Sequence, residues 1–189
     1  MNGEKIVEFQ DIILPKLVVF DCDACLWTPE CFQIAPPFEK LNDHLILDKN
    51  EVEIKLFPGA IHAIREIKKR PEFKCTQIAL ASTTRYPEHS RFLRDSFRIL
   101  EEPISSIASS VQVFYAADKS LHFKNIKLET GIDFSDMLFF DDCTWGDNVG
   151  EVESSCPGVV GVRTPHGMTV EKWNEGLLKF SVVKNSCKH

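Results

Sequence analysis

Nowhere in the chain do about 18 apolar residues run together, so no segment reads as a membrane-spanning helix. The first residues, Met1 to Lys5, carry no basic stretch leading into a long apolar one, and neither export nor membrane insertion is expected. Lys and Arg total 22 against 28 Asp and Glu, a net charge of −6, and they form no run or stripe suited to tracking a phosphate backbone. Nucleic acid is therefore not expected as a partner. Absent too are the Gly-rich fingerprints of phosphate-cradling and dinucleotide-binding loops. The seven cysteines (22, 25, 31, 75, 143, 156 and 187) are an odd number without an export signal. That argues against a complete disulfide framework and for a reducing, cytoplasmic or nuclear setting. None of them is followed by an arginine at the spacing of a cysteine-based phosphatase. There is no internal repeat and no low-complexity tract.

What is present suits one domain over residues 1–189, with 43% hydrophobic and 26% charged residues. Short apolar runs alternate with amphipathic segments, the pattern of an α/β fold. Strands are predicted at Leu17–Phe20, Ile78–Ala81, Val111–Tyr115, Met137–Phe140 and Val159–Val162. Helices are predicted at Gly59–Arg70, Glu88–Leu100, Lys119–Thr130 with Gly131 just past its end, and Val170–Phe180 with Thr169 as N-cap and Met168 stapled to Trp173. A frayed tail is expected from Val182 to His189. Residues 28–56 hold Pro29, Pro36 and Pro37, then Val52, Ile54 and Leu56 alternating with charges after a turn at Asp48-Lys49-Asn50. This reads as a β-hairpin flap inserted after the first strand.

Chemistry-bearing residues fall where the apolar runs stop. Asp21-Cys22-Asp23 follows the first run, Ser82 follows the second, and Asp141-Asp142 follows the fourth, with Lys119 between. In an open parallel sheet those exits share the edge where ligands bind. One acidic pair alone is most simply a solvated turn; two pairs at separate strand ends make an oxygen-rich cluster suited to Mg²⁺. Asp21 then reads as a nucleophile that becomes transiently phosphorylated, and Asp23 as acid and then base. Ser82 would bond a phosphoryl oxygen, and Lys119 would neutralise charge on the transferring group.

In this ordered set the chain resembles the haloacid dehalogenase superfamily, whose motifs are an Asp-x-Asp loop, a strand-end Ser or Thr, a Lys and an acidic pair. Asp21-Cys22-Asp23-Ala24-Cys25-Leu26-Trp27, Ser82, Lys119 and Asp141-Asp142 match them in turn. More narrowly it is similar to the magnesium-dependent phosphatase family, through Leu26-Trp27, Pro36-Pro37-Phe38, Leu56-Phe57-Pro58, Ser82 with Thr84, Lys119 with His122-Phe123, and Phe139-Phe140-Asp141-Asp142. The resemblance covers Leu17 to Phe180. It implies a Rossmann-like three-layer sandwich with a central, mostly parallel sheet and a minimal cap, Mg²⁺ dependence, and hydrolysis of phosphotyrosine, phosphoprotein or small sugar phosphates. It also implies that Asp21 and Asp142 give carboxylates to the metal, Asp23 its backbone carbonyl, and Asp141 a place close by. Cys25 stands where the superfamily has Thr or Val, so an ordering hydroxyl is missing. Thr83-Thr84-Arg85 follows Ser82 where the closer family has a basic residue at once, which leaves Arg85, with Thr83, to contact phosphate. Asp147 or Asn148 is a candidate for the metal's outer shell.

Other readings stand beside this one. Cys22-Asp23-Ala24-Cys25 is formally a Cys-x-x-Cys, yet Leu26-Trp27-Thr28-Pro29 does not open the helix a redox pair needs, and zinc lacks a second well-spaced pair. Cys31, Cys75, Cys156 and Cys187 read as ordinary thiols, while Cys22 and Cys143 flank the site. His62, His89, His122 and His166 read as structural or solvated, with His122 one turn after Lys119 and able to face the site. Trp27 and Phe38 read as packing, with stacking on an aryl phosphate the alternative for flap aromatics. A non-catalytic scaffold binding a phosphorylated ligand or protein partner is the rival from another class. Oligomeric state is not legible.

Overall fold

A computed structural model of the chain describes residues 12–186; the Met1 to Lys5 segment, Cys187 and the end of the expected tail lie outside the described residues. In chain order the elements are β1 (Leu17–Phe20), β2 (Trp27–Thr28), β3 (Glu39–Asn42), β4 (Leu45–Leu47), β5 (Glu53–Leu56), α1 (Pro58–Lys69), β6 (Gln77–Ser82), α2 (Pro87–Ser96), β7 (Arg98–Ile99), β8 (Glu102–Pro103), α3 (Ile104–Ile107), β9 (Ser110–Val113), α4 (Ser120–Thr130), β10 (Met137–Asp141), α5 (Asn148–Ser155), β11 (Val160–Arg163) and α6 (Val170–Ser186).

Five strands form one sheet in the order β11-β10-β1-β6-β9, and the pairings of β1 with β10, β1 with β6, β6 with β9 and β10 with β11 are all parallel. A parallel sheet covered on both faces needs apolar side chains on both, which is why β1 and β10 are apolar runs rather than alternating ones. Val18 and Phe20 of β1, with Leu138 and Phe140 of β10, pack toward α1 and α6 beside Ile64, Trp173 and Leu177. Leu17 and Val19, with Met137 and Phe139, pack the other way, toward Phe123 and Ile126 of α4 and Val149 and Val152 of α5. This is the expected α/β three-layer sandwich.

The chain runs outward from β1 to β6 and β9, then returns to the other side of β1 for β10 and β11. The order therefore reverses between β1 and β10, and a crevice opens outside the carboxyl ends of strands at such a point. That placement puts the Asp21 and Asp141 exits beside each other.

The insertion between β1 and α1 is more than a hairpin. It is a four-stranded antiparallel sheet in the order β2-β5-β4-β3, built around the expected β4–β5 pair. Asp48 fixes the turn: its carboxylate accepts hydrogen bonds from the backbone amides of Asn50, Val52 and Ala35 at 2.7, 3.0 and 3.1 Å.

Four helices differ from expectation, and one of them is the short α3, where no helix was predicted. α2 stops at Ser96, where Phe97 turns extended and buries its ring against Trp27, with centroids 6.1 Å apart. The following residues pair as β7 and β8 around a turn at Leu100 and Glu101, both with positive φ. α6 continues to Ser186 instead of fraying at Val182, because Lys184 donates to Asp136 and to the Ser135 carbonyl. α5 was not foreseen; Asp147 caps it by accepting from the Gly150 amide at 3.1 Å. The strand expected to reach Tyr115 ends at Val113, and two expected helix-end signals hold. Gly131 ends α4 in the left-handed region at φ 70°, and Thr169 caps α6 by accepting from the Lys172 amide. Among the described residues no helix is long and apolar enough to cross a membrane.

Candidate active site

Parallel pairing carries Phe20 alongside Phe140, and the Asp21 amide donates to the Phe140 carbonyl at 2.9 Å. Asp21 and Asp141 thus leave their strands together. Lys119 sits at the start of α4 and places its ammonium between them, 2.5 Å from Asp21 Oδ1 and 2.5 Å from Asp141 Oδ2. All three side chains are buried, Lys119 with only 2% of its surface exposed. Burial by itself disfavours the ammonium, but the two carboxylates outweigh it and hold Lys119 charged beyond its ordinary range.

Lys119 does not balance the buried acids around it. Burial pushes the Asp21 carboxyl upward; Lys119 opposes this, while Asp141 and Asp142 push it further up. Asp142 is likewise raised, first by burial and then by Asp141, against the Thr144 amide that donates to its Oδ2 at 2.9 Å. Asp141 behaves differently: the pull of Lys119 and the donors around it overcome burial and lower it. Its Oδ2 is taken by Lys119, and its Oδ1 accepts from the Cys143 amide at 2.8 Å and the Asn148 side chain at 3.0 Å. Asp141 is therefore turned toward its donors and does not line the cavity, whereas Asp21 and Asp142 do.

That cavity, about 540 Å³, lies outside the carboxyl ends of the strands and is also lined by Asp23, Ser82 and Lys119. Ser82 closes β6 and is buried. Thr83 and Arg85 reach the cavity from the next loop, but Arg85 is exposed at its mouth, its guanidinium 4.6 Å over the Tyr115 ring and donating to the Tyr115 hydroxyl at 3.3 Å. Across the mouth, Trp145 donates to Glu30 at 2.8 Å and meets the Phe32 ring edge-on at 5.9 Å. Cys25 has no hydroxyl, but its thiol donates to the Phe140 carbonyl and accepts from Thr164, each at 3.6 Å. Asp147, a candidate for a metal's outer shell, is instead committed to the α5 cap and to Arg163 in a two-pronged ion pair. Asn148 lines the cavity and donates to Asp141 Oδ1.

The sequence-predicted residues Asp21, Asp23, Ser82, Thr83, Arg85, Lys119 and Asp142 thus converge on one cavity. Sequence reasoning missed its rim: Glu30, Phe32, Trp145 and Tyr115. Glu30 and Trp145 lie 115 positions apart, and nothing local marks them as partners. Among the described residues no group of three or more His, Cys, Asp or Glu side chains is arranged to hold a metal ion. Two carboxylates facing a cavity, in net acidic surroundings, nevertheless form the donor set of a hard divalent cation that completes its shell with carbonyls, water and substrate oxygens. The site's chemistry fits such an ion.

The Acid Phosphatase family profile matches residues 13–182. The chain is 30% identical to human magnesium-dependent phosphatase 1 over 169 residues, 89% of this chain and 88% of that protein. It is 29% identical over 142 residues to a HAD-like hydrolase superfamily protein of Schizosaccharomyces pombe, covering 70% of this chain and 78% of the relative. Among solved structures, the N-terminal part of a Bacteroides fragilis protein, containing a phosphatase domain complexed with Mg, superposes with a TM-score of 0.58 at 16% identity, over 88% of this chain but only 40% of that one. CbbY of Rhodobacter sphaeroides in complex with phosphate gives 0.53 at 14% identity, over 80% and 86%. These two share the fold. By the profile match and the curated relatives, the chain belongs to the Acid Phosphatase family, within the haloacid dehalogenase superfamily of hydrolases.

Proposed function

We propose that this chain is a single-domain, magnesium-dependent phosphomonoester hydrolase working through an aspartyl-phosphate at Asp21. The observation that carries this reading is the Asp21–Lys119–Asp141 bridge at the switch point of the sheet, opening on a cavity that Asp23, Ser82 and Asp142 share. The Asp21 and Asp142 carboxylates and the Asp23 backbone carbonyl would hold Mg²⁺. When bound, the ion would offset the acidic excess and withdraw charge from the phosphoryl group.

The protein's own residues do the rest. Asp21 Oδ2 is free of Lys119, which bonds Oδ1, and attacks phosphorus, breaking the ester bond as the phosphoryl group passes to the carboxylate. Lys119 fixes the nucleophile's orientation and stabilises charge on the transferring group, and Asp141 holds Lys119 in place. Ser82 donates to a phosphoryl oxygen, with Thr83 and Arg85 contacting phosphate from the next loop. Asp23 protonates the leaving oxygen, then takes a proton from the water that hydrolyses the aspartyl-phosphate. Exposed Phe32, Tyr86, Tyr115 and Trp145 at the mouth favour phosphotyrosine or phosphopeptides among the substrates considered, with small sugar phosphates the alternative.

The test is release of phosphate from p-nitrophenyl phosphate. Turnover is expected with Mg²⁺, lost to a chelator and restored by added metal, and reduced to background in Asp21→Asn. Wild-type protein that turns over no faster than Asp21→Asn across a broad phosphomonoester panel would establish the scaffold reading instead.

A further inference from the structure

Trp27 lies one short turn beyond Asp23, and the sequence suggests packing for it first. The chain from Cys22 curls back on itself: the Leu26 and Trp27 amides both donate to the Cys22 carbonyl, at 2.8 and 3.4 Å, and Ala24 takes φ 55° to allow it. The indole is thereby delivered to the carboxylate, and Trp27 Nε1 donates to Asp23 Oδ1 at 2.8 Å.

Three elements hold the indole. Its backbone pairs with Leu56 of β5, its neighbour Leu26 accepts from the Phe57 amide, and its ring lies 6.1 Å from Phe97 after α2. Trp27 has no exposed surface, so the ring is enclosed where it meets Asp23. Cys31, buried in the short 3-10 helix Cys31–Gln33, also stands against this carboxylate through its thiol and amide. Its carbonyl is in turn bonded to His89 of α2 at 3.0 Å.

A packing tryptophan needs no partner on the cavity; this one spends its only polar hydrogen on a carboxylate that lines it. We infer that Trp27 is a positioning residue for proton transfer, its indole N–H holding Asp23 so that one carboxylate oxygen stays aimed at the leaving group. The inference rests on the phosphatase reading above and adds a residue to it. It also means that the root of the flap, through β2 and β5, sets the orientation of the acid. The proton balance is simple: Asp23 gives its proton to the departing alkoxide or phenoxide and later recovers one from water, while the indole keeps its own throughout.

The test compares two esters. Protonation of the leaving group matters for phenyl phosphate and little for p-nitrophenyl phosphate, whose phenolate departs readily. Trp27→Phe is expected to lose roughly tenfold or more in kcat/KM on phenyl phosphate and less than about threefold on p-nitrophenyl phosphate, within the range general acid catalysis supplies. Because the smaller ring leaves space against Phe97, a second variant replaces Trp27 with 3-benzothienylalanine, an isostere without the N–H. This variant should show the same split with the wild-type melting temperature. Equal losses on both esters in either folded variant, or no loss in the isostere, would overturn the inference and leave the phosphatase reading standing. No turnover of either ester by the wild-type protein would overturn both.

Discussion

The floor and the rim of the cavity are built in different ways. The floor is made where strands end: Asp21 and Asp141 are placed by the register of β1 against β10, and Lys119 is locked between them with almost no exposure. The rim is made by side chains from distant loops, the Arg85–Tyr115 and Trp145–Glu30 pairs, and these residues are mostly exposed. Groups that must keep one geometry sit on rigid, buried elements, while groups that meet variable parts of a substrate sit on loops. The comparison also separates energy from selectivity. A change in the floor should cost both folding and turnover, and a change in the rim should cost neither fold nor chemistry but alter which ester is accepted.

The strongest way to break that contrast is Lys119→Met. Removing the ammonium leaves Asp21 and Asp141 buried beside each other without a counter-charge, and loss of one partner of a buried pair costs about 3–5 kcal/mol. Urea denaturation should show that loss, and phosphate release should fall to background; a variant as stable as wild type would mean that the bridge does not hold the floor together.

Asp48→Ala probes the flap, away from both. The three amides that donate to Asp48 outweigh burial and hold its carboxyl below the usual range. A carboxyl lowered in the folded state stabilises above its unfolded pKa, about 3.9, and that stabilisation disappears as pH falls through the lower folded value. At neutral pH the variant should melt about 2–4 °C lower, and the gap from wild type should close as acid protonates Asp48. A gap that widens in acid would contradict the assignment.

Trp145→Ala is expected to be smallest in stability, within about 0.5 kcal/mol, since the side chain is 75% exposed. Its effect should appear in KM for bulky aryl or peptide phosphates and not for small esters. An equal effect on kcat for every ester would place Trp145 in the floor's chemistry and erase the distinction.

The same division explains what could be read from the chain. Buried parallel strands announce themselves as Leu17-Val18-Val19-Phe20 and Met137-Leu138-Phe139-Phe140, and the residues that follow such runs fall on one edge of the sheet whatever the intervening loops do. The aspartates and Ser82 followed from that rule, whereas Lys119 stands at the start of α4 and was legible only through the ordered motif set. The rim followed from neither, because Glu30 and Trp145 meet only after the flap and the β10–α5 loop are folded. α5 was hidden by Gly150 and by a sequence, Asn148–Ser155, with few strong helix formers; its stability comes from the Asp147 cap and from burial of Val149 and Val152. The four-stranded flap was only half visible: β4 is an apolar run and β5 alternates, but every residue of β3 is exposed and its single apolar residue, Leu41, sets no pattern. Cys25 looked like a loss because a hydroxyl was missing, and only the fold shows its thiol bridging the Phe140 carbonyl and Thr164.

The most direct measurement is chemical trapping of the covalent intermediate. Wild-type protein mixed with Mg²⁺ and a phosphate ester, quenched in acid and reduced with borohydride, should yield homoserine at position 21 in the peptide mass spectrum, and none without substrate. Rapid turnover with Asp21 recovered unchanged, or with reduction at Asp23, Asp141 or Asp142 instead, would contradict the account.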